Sequence, residues 1–313
     1  MGFAMADDVL IYSLSEHRDL IFALFSEASP LSVVEIGSEA GGMTREMCRW
    51  ASETGGSFTA VEPFPVAEVR ALAASVDGFT LVEGRSPEAL SSVPPADAYL
   101  IDGDHNYWTV THELEAVYAD GRSPLAVLHD VGWPCARRDQ YYAVDALPSE
   151  AVHPHSYSRG RAPGVSDLVD RGFGGGGSFA VACEQGGPRN GVLTAVEDFL
   201  LSRPELSYAH VPAVFGLGVI WSSSAPYASA VAGLLAPWDR NPLLERLERN
   251  RLRLYMRVLE LQDRLGRADP ASNLVLLRYA ERLADLEAEN ASLRLERGHL
   301  RAALDAVERP VGR

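Results

Sequence analysis

The chain is predicted to be α/β, with a doubly wound, mostly parallel sheet followed by a helical extension. Three observations lead there. Short apolar runs recur between Ser32 and Val131, with amphipathic stretches between them. The first run, Val33-Val34-Glu35-Ile36, passes into Gly37, Gly41 and a helix, as at the ligand-binding edge of a parallel sheet. From Leu244 the apolar residues change to alternating steps of three and four, the period of a helix with one apolar face.

Taken in order, Asp8 to Glu27 has apolar residues at helical spacing and predicts an opening helix. Strands are predicted at 32–36, 57–61, 79–82, 97–101 and 125–129, with helices between them that include 43–53 and 65–75. Such alternation indicates a sheet covered on both faces, and ligands bind outside the carboxyl ends of its strands. Residues 132–178 are rich in Pro, Gly, His, Tyr and Arg and lack periodicity, which reads as a mobile cover over the site. A helix then starts at Asn190-Gly191-Val192, and a hairpin at 208–214 and 217–223 closes the sheet.

The domain therefore spans 1–236, and 237–313 is a helical, coiled-coil segment broken at Asp269-Pro270. Leu276, Tyr279, Leu283, Leu286, Asn290, Leu293, Arg297, Leu300, Leu304 and Val307 keep a strict heptad repeat. Asn290 at an a-type position, with leucine at most d-type positions, favours a parallel dimer in fixed register, so a homo-oligomer is expected. The other reading of 244–265 and 276–307 is a pair of amphipathic helices folded back on the domain.

Composition excludes several classes. A net charge of −15 argues against nucleic acid as partner, since phosphate binding needs a basic surface. The sequence contains no lysine, which removes a P-loop lysine, a Schiff-base lysine and a lysine general base. Cys48, Cys135 and Cys183 lack metal-ligand spacing and suit a reducing, cytoplasmic setting. No signal peptide is read at the start, and no apolar run is long enough to span a membrane.

The motif Glu35-x-Gly37-x-x-x-Gly41 frees the backbone to turn sharply and aims main-chain N–H groups at a ligand. Glu62, ending the second strand, is positioned to bond ribose hydroxyls. The spacing is not the Gly-x-Gly-x-x-Gly that cradles a pyrophosphate, so it favours a nucleoside without a diphosphate. The fourth strand ends Asp102-Gly103-Asp104-His105 and the fifth ends His129-Asp130. Carboxylates with an imidazole at adjacent strand ends suit Mg²⁺ or Mn²⁺ better than a thiolate-seeking metal.

The first two motifs resemble those of class I S-adenosylmethionine-dependent methyltransferases. Ile101-Asp102-Gly103-Asp104-His105 with His129-Asp130 resembles the metal-dependent O-methyltransferases of sugar and antibiotic tailoring, the macrocin and aminocoumarin type. The resemblance covers about residues 30–222 and implies a seven-stranded Rossmann-like methyltransferase sheet. It implies S-adenosylmethionine (SAM) as cofactor, with Glu35, Gly37 and Gly41 at its amino-acid end, Glu62 at the ribose, and Arg85 and Ser86 beside adenine. It also implies Asp102 and Asp130 as Mg²⁺ ligands and Asp104 as general base, with His105 second. Relatives often have two acids where this chain has His129-Asp130, so His129 is read either as a ligand or as a partner of a carboxylate ligand. Arg137 to Tyr142 and the following loop are candidates for recognising a small-molecule or glycan hydroxyl. His112 is read as a packing residue.

Two other functions compete. A nicotinamide-dinucleotide oxidoreductase would need the third glycine that is missing here. A catalytically inert adaptor assembled through the coiled coil is opposed by the presence of every polar residue the chemistry requires.

Overall fold

The computed structural model describes residues 12–268. Five strands alternate with helices as the apolar pattern requires: β1 (Ser32–Ile36), β2 (Ser57–Glu62), β3 (Phe79–Glu83), β4 (Ala98–Ile101) and β5 (Leu125–Leu128). Three short strands follow, β6 (Gln140–Tyr141), β7 (His155–Ser156) and β8 (Ala180–Ala182), and then β9 (Leu206–Val211) and β10 (Leu217–Ser222). The main sheet has seven strands in the order β3-β2-β1-β4-β5-β10-β9. Its first five are parallel, and β10 runs antiparallel to both neighbours. This is the doubly wound, mostly parallel α/β sheet the sequence predicts.

Helices cover both faces, and side-chain alternation along the strands decides which residues each face buries. Val33, Phe58, Leu100, Val127 and Val219 point to the face covered by α1 (Arg18–Ala28) and α2 (Gly42–Thr54). Val34, Ile36, Val61, Ile101 and Leu128 point to the opposite face, covered by α4 (Tyr107–Val117) and α5 (Val192–Leu201). Helix α3 (Ala67–Ser75) flanks β3, and α6 (Ala228–Leu235) packs Val231 and Leu235 into the α1 side. On burial alone, each fully buried Leu or Phe contributes about 1.5–3 kcal/mol, so the two layers anchor the strand ends that carry the polar residues.

The opening helix is shorter than predicted within the described residues. Ser13 Oγ accepts from Ser15 N and caps a 3₁₀ turn at Leu14–His17, so α1 begins only at Arg18. Residues 140–182 form a small antiparallel sheet in the order β6-β8-β7, which no period-two pattern announced. Main-chain bonds fasten it to the site, with Gln140 N donating to His105 O at 3.0 Å.

The chain divides into two units, Met1–Met256 and Arg257–Arg313. Helix α7 is Pro242–Ala268. Along it Leu252 is buried, whereas Leu243, Leu247, Leu254, Val258 and Leu261 are exposed. The predicted break at 269–270 and the heptad repeat at 276–307 lie outside the described residues. Among the described residues no helix is long and apolar enough to cross a membrane.

Candidate functional site

Beyond β1 the chain turns over Gly37, whose φ of +86° puts it in the left-handed region. A Cβ there would sit 2.3 Å from the carbonyl oxygen of Asp102, so the turn can lie against the end of β4 only with glycine. Glu62 then pins the loop, because Oε2 accepts from the N–H groups of Ser38 (3.0 Å) and Glu39 (3.3 Å). Its other oxygen accepts from Phe64 N at 2.9 Å. Gly41, with φ +78°, starts α2 with no side-chain cap. A Cβ at Gly41 would press on Val69 of α3, and Gly41 itself does not line the cavity described below.

Glu35, two residues along β1 from Val33, shares its face and points to the α2 side, where Thr44 Oγ1 donates to it at 2.6 Å. It is fully buried, and burial pushes its carboxyl up to about 8. Past β3, the Arg85 guanidinium lies 5.2 Å from the Phe64 ring centre. Ser86 Oγ hydrogen-bonds Glu113, a buried residue of α4 whose carboxyl is likewise pushed up to about 8 by burial.

β4 and β5 are paired through Ile101 and Leu128, which sets Asp102 beside His129 and Asp130. His129 Nδ1 stands 3.1 Å from Asp102 Oδ1 and 3.3 Å from Asp130 Oδ2. One ligating atom from each of the three lies within 4.8 Å of the others. Burial would lower the His129 imidazole, but the carboxylates of Asp102 and Asp130 outweigh it and hold it well above its ordinary value. Burial opposes charge on Asp130, yet His105 and His129 beside it hold its carboxyl down at about 2. Asp130 has φ +59°, a conformation sparsely used by non-glycine residues and found where structure over-determines a side chain.

This donor set suits a hard divalent cation, since two carboxylates and one imidazole offer oxygen and nitrogen without thiolate. The His129 ring is also oriented for it. Nε2 faces the carbonyl of Val214, so Nδ1 is the nitrogen left for a ligand, the usual arrangement of a metal-binding histidine.

Asp104 faces the same space. Asn106 Nδ2 donates to its Oδ2 at 2.8 Å and Tyr142 N to its Oδ1 at 3.2 Å. Burial pushes its carboxyl up to about 6, against the pull of His105. His105 Nε2 is 3.5 Å from Asp130 Oδ2, and its ring packs edge-on to Tyr142.

A single cavity of about 750 Å³ gathers these groups. Glu35, Gly37, Glu62, Arg85 and Ser86 line it together with Asp102, Asp104, His105, His129 and Asp130. Every predicted site residue except Gly41 thus meets in one space. The candidates at 137–142 divide. Arg137 pairs with Glu197, Arg138 holds the carbonyls of Ala182 and Cys183, and Asp139 accepts from Tyr107 N and Gly191 N, so these three build the cover. Gln140 and Tyr142 line the cavity. His112 bonds Trp108 O at 2.7 Å and lies tilted against its ring at 4.2 Å, in keeping with a packing role. Sequence reasoning missed His17, buried with its ring 5.9 Å from that of His129 and pushed down to about 4 by burial and by His129. It also missed Phe173, Phe179 and Phe215 on the cavity wall, which come from loops without a motif, and Tyr255, which comes from α7.

Residues 34–130 match a family model described as a methyltransferase domain. No curated protein matches the chain. Among solved structures it is similar to an O-methyltransferase from Bacillus cereus in complex with SAH, at 13% identity over 67% of this chain and 83% of that one, TM-score 0.41. It is also similar to an SAH-bound Podospora anserina methyltransferase, at 15% identity, 64% and 76% coverage, TM-score 0.39. A third is the O-methyltransferase TomG from Streptomyces achromogenes in complex with SAM, at 12% identity, 70% and 92% coverage, TM-score 0.37. At such identities and TM-scores, what those proteins bind is a fact about them alone.

Proposed function

We propose that this chain is a SAM-dependent O-methyltransferase assisted by a divalent cation, acting on a hydroxyl of a sugar or glycosylated natural product. One observation carries the reading. A single cavity joins the glycine turn and Glu62 to the cluster Asp102, His129 and Asp130. The methyltransferase-domain match over 34–130 spans both halves of that site and speaks against the nicotinamide oxidoreductase.

Glu62 keeps lone pairs beyond those used by the loop N–H groups and accepts ribose hydroxyls with them. Glu35, Gly37, Arg85 and Ser86 surround the remainder of the nucleoside. Asp102, His129 and Asp130 would hold Mg²⁺ or Mn²⁺. A cation held there would supply Lewis-acid polarisation of the acceptor hydroxyl.

In the reaction the bond between the methyl carbon and the sulfonium sulfur breaks, and sulfur keeps the electron pair as a neutral thioether. The acceptor oxygen forms the new C–O bond, and its proton passes to Asp104. Asp104 suits that role because it lines the cavity two residues from Asp102 and is held on both oxygens by Asn106 and Tyr142. His105 is the second candidate, and the absence of lysine leaves no other amine base. Most of the remaining acceleration is alignment of oxygen, carbon and sulfur in line.

The test is incubation of the full chain with methyl-labelled SAM, Mg²⁺ and a metabolite extract, read by mass spectrometry. A product heavier by one labelled methyl, lost in EDTA and restored by Mg²⁺, is expected. Label transfer that is indifferent to EDTA would remove the cation from the mechanism.

A further inference from the structure

The peptide group that joins Val214 to Phe215 is held at both of its ends. Its carbonyl faces His129 Nε2 at 2.9 Å, and its N–H donates to Glu248 Oε1 on α7 at 3.0 Å. A peptide group is planar, with N–H and C=O pointing in opposite directions. Fixing the N–H therefore fixes the direction of the carbonyl on which the His129 ring rests.

The turn that carries this peptide needs such a restraint. Val214, Phe215 and Gly216 follow one another at φ of +45°, +63° and +90°. Two of the three are not glycine, so the backbone is kept there against its own preference. On the side of β5 the restraint is close packing. Gly132, two residues beyond Asp130, donates its N–H to Phe215 O at 2.6 Å. A Cβ at Gly132 would sit 2.5 Å from that oxygen, and one at Gly216 would sit 2.4 Å from Gly132 N.

On the other side the restraint is α7. Arg251 donates Nε to Glu248 Oε2 and Nη2 to Oε1, each at 2.6 Å, which fixes the carboxylate on the helix. The Arg251 guanidinium also lies 5.1 Å from the Phe215 ring centre. Burial opposes charge on Glu248, but Arg251 and the N–H groups of the turn hold its carboxyl below the ordinary value. The start of the helix is tied to β9, since Asp239 Oδ1 accepts from His210 N and Arg240 N donates to His210 O, both at 2.7 Å. Glu248 does not line the cavity, so its influence on the site passes through the turn.

We propose that Glu248 is a positioning residue for the cation site. It holds the Val214–Phe215 peptide, the peptide holds His129 Nε2, and Nδ1 is thereby kept between Asp102 and Asp130. The beginning of α7 then belongs to the apparatus that binds the metal. This inference rests on the cation reading of the site.

The test uses the full chain with ¹⁵N-labelled histidine, first without metal and then titrated with Mn²⁺. The His129 Nε2–H signal is identified by its loss in His129→Gln. Glu248→Asp keeps the charge and draws the carboxylate back by one methylene, whereas Glu248→Gln keeps the reach and an acceptor oxygen. In Glu248→Asp the Nε2–H signal is expected to broaden or shift in the metal-free chain. Its Mn²⁺ affinity is expected to fall about five-fold or more, with SAM affinity unchanged. Glu248→Gln is expected to stay near wild type in both readouts, as is Leu247→Ala, an exposed position on the same helix. An unmoved signal with undiminished Mn²⁺ affinity in Glu248→Asp overturns the proposal alone. So does a Glu248→Gln chain as impaired as Glu248→Asp. A wild-type chain that binds SAM but no Mn²⁺ overturns the cation reading, and this inference with it.

Discussion

His129 Nε2 lies 2.9 Å from the carbonyl oxygen of Val214, on the turn between β9 and β10. A carbonyl only accepts, so Nε2 carries hydrogen and the ring cannot turn without losing that bond. Val214 itself has φ +45°, rare for a β-branched residue, so the surrounding fold holds the acceptor in place. The remaining nitrogen is thereby fixed between Asp102 and Asp130. Replacing His129 by Gln is expected to weaken Mn²⁺ binding at least ten-fold with SAM affinity intact. Calorimetric titration of each ligand checks it, and undiminished Mn²⁺ affinity would return His129 to a purely structural role.

Asp104→Asn keeps the shape of the side chain and removes its capacity as a base. Turnover is expected to fall by about 10²-fold or more, with SAM affinity unchanged. Near-normal turnover in that variant would shift the proton to His105, which His105→Gln would then reveal.

Gly37→Ala combines a left-handed backbone with a Cβ placed 2.3 Å from the Asp102 carbonyl. The expected cost is about 2 kcal/mol or more, a fall in Tm of roughly 5 °C or more. Because the clash pushes on the residue next to Gly103, Mn²⁺ affinity is expected to fall as well. A variant with unaltered Tm by calorimetry would show that the turn has more room than the geometry gives it.

Burial raises the carboxyls of Glu35 and Glu113 from an ordinary 4.5 to about 8. Between those values the native chain holds protons that the unfolded chain has released. Stability from these groups is therefore fully present below about pH 4.5 and is lost as pH rises to 8. Glu113→Gln retains an acceptor for Ser86 and cannot ionise. Its Tm is expected to fall less than wild type between pH 5.5 and 8.5. Parallel Tm curves for the two proteins would show that Glu113 does not titrate in this window.

The core of this site was legible because it rests on local chemistry at strand ends. Gly37 and Glu62 follow from an apolar strand breaking into a turn, and Asp102 and Asp130 from two such strands in succession. Their adjacency needed only that β4 and β5 pair in parallel, which alternation with helices demands. Gly41 was read as a ligand contact because glycine signals close approach, but the approaching group is Val69. Phe173 and Phe179 were hidden for a different reason. They belong to a cover held by long-range bonds such as Arg161 to Gln140, and no periodicity marks contacts of that kind. His17 likewise reaches His129 across more than a hundred residues.

The central claim is that Asp102, His129 and Asp130 hold one divalent cation beside the nucleoside site. Electron paramagnetic resonance of the full chain titrated with Mn²⁺ tests it most directly. One bound Mn²⁺ per chain is predicted, displaced by Mg²⁺ and lost in both Asp102→Asn and Asp130→Asn, while all three proteins still bind SAM. A wild-type chain that binds SAM and leaves every Mn²⁺ free in solution would contradict it.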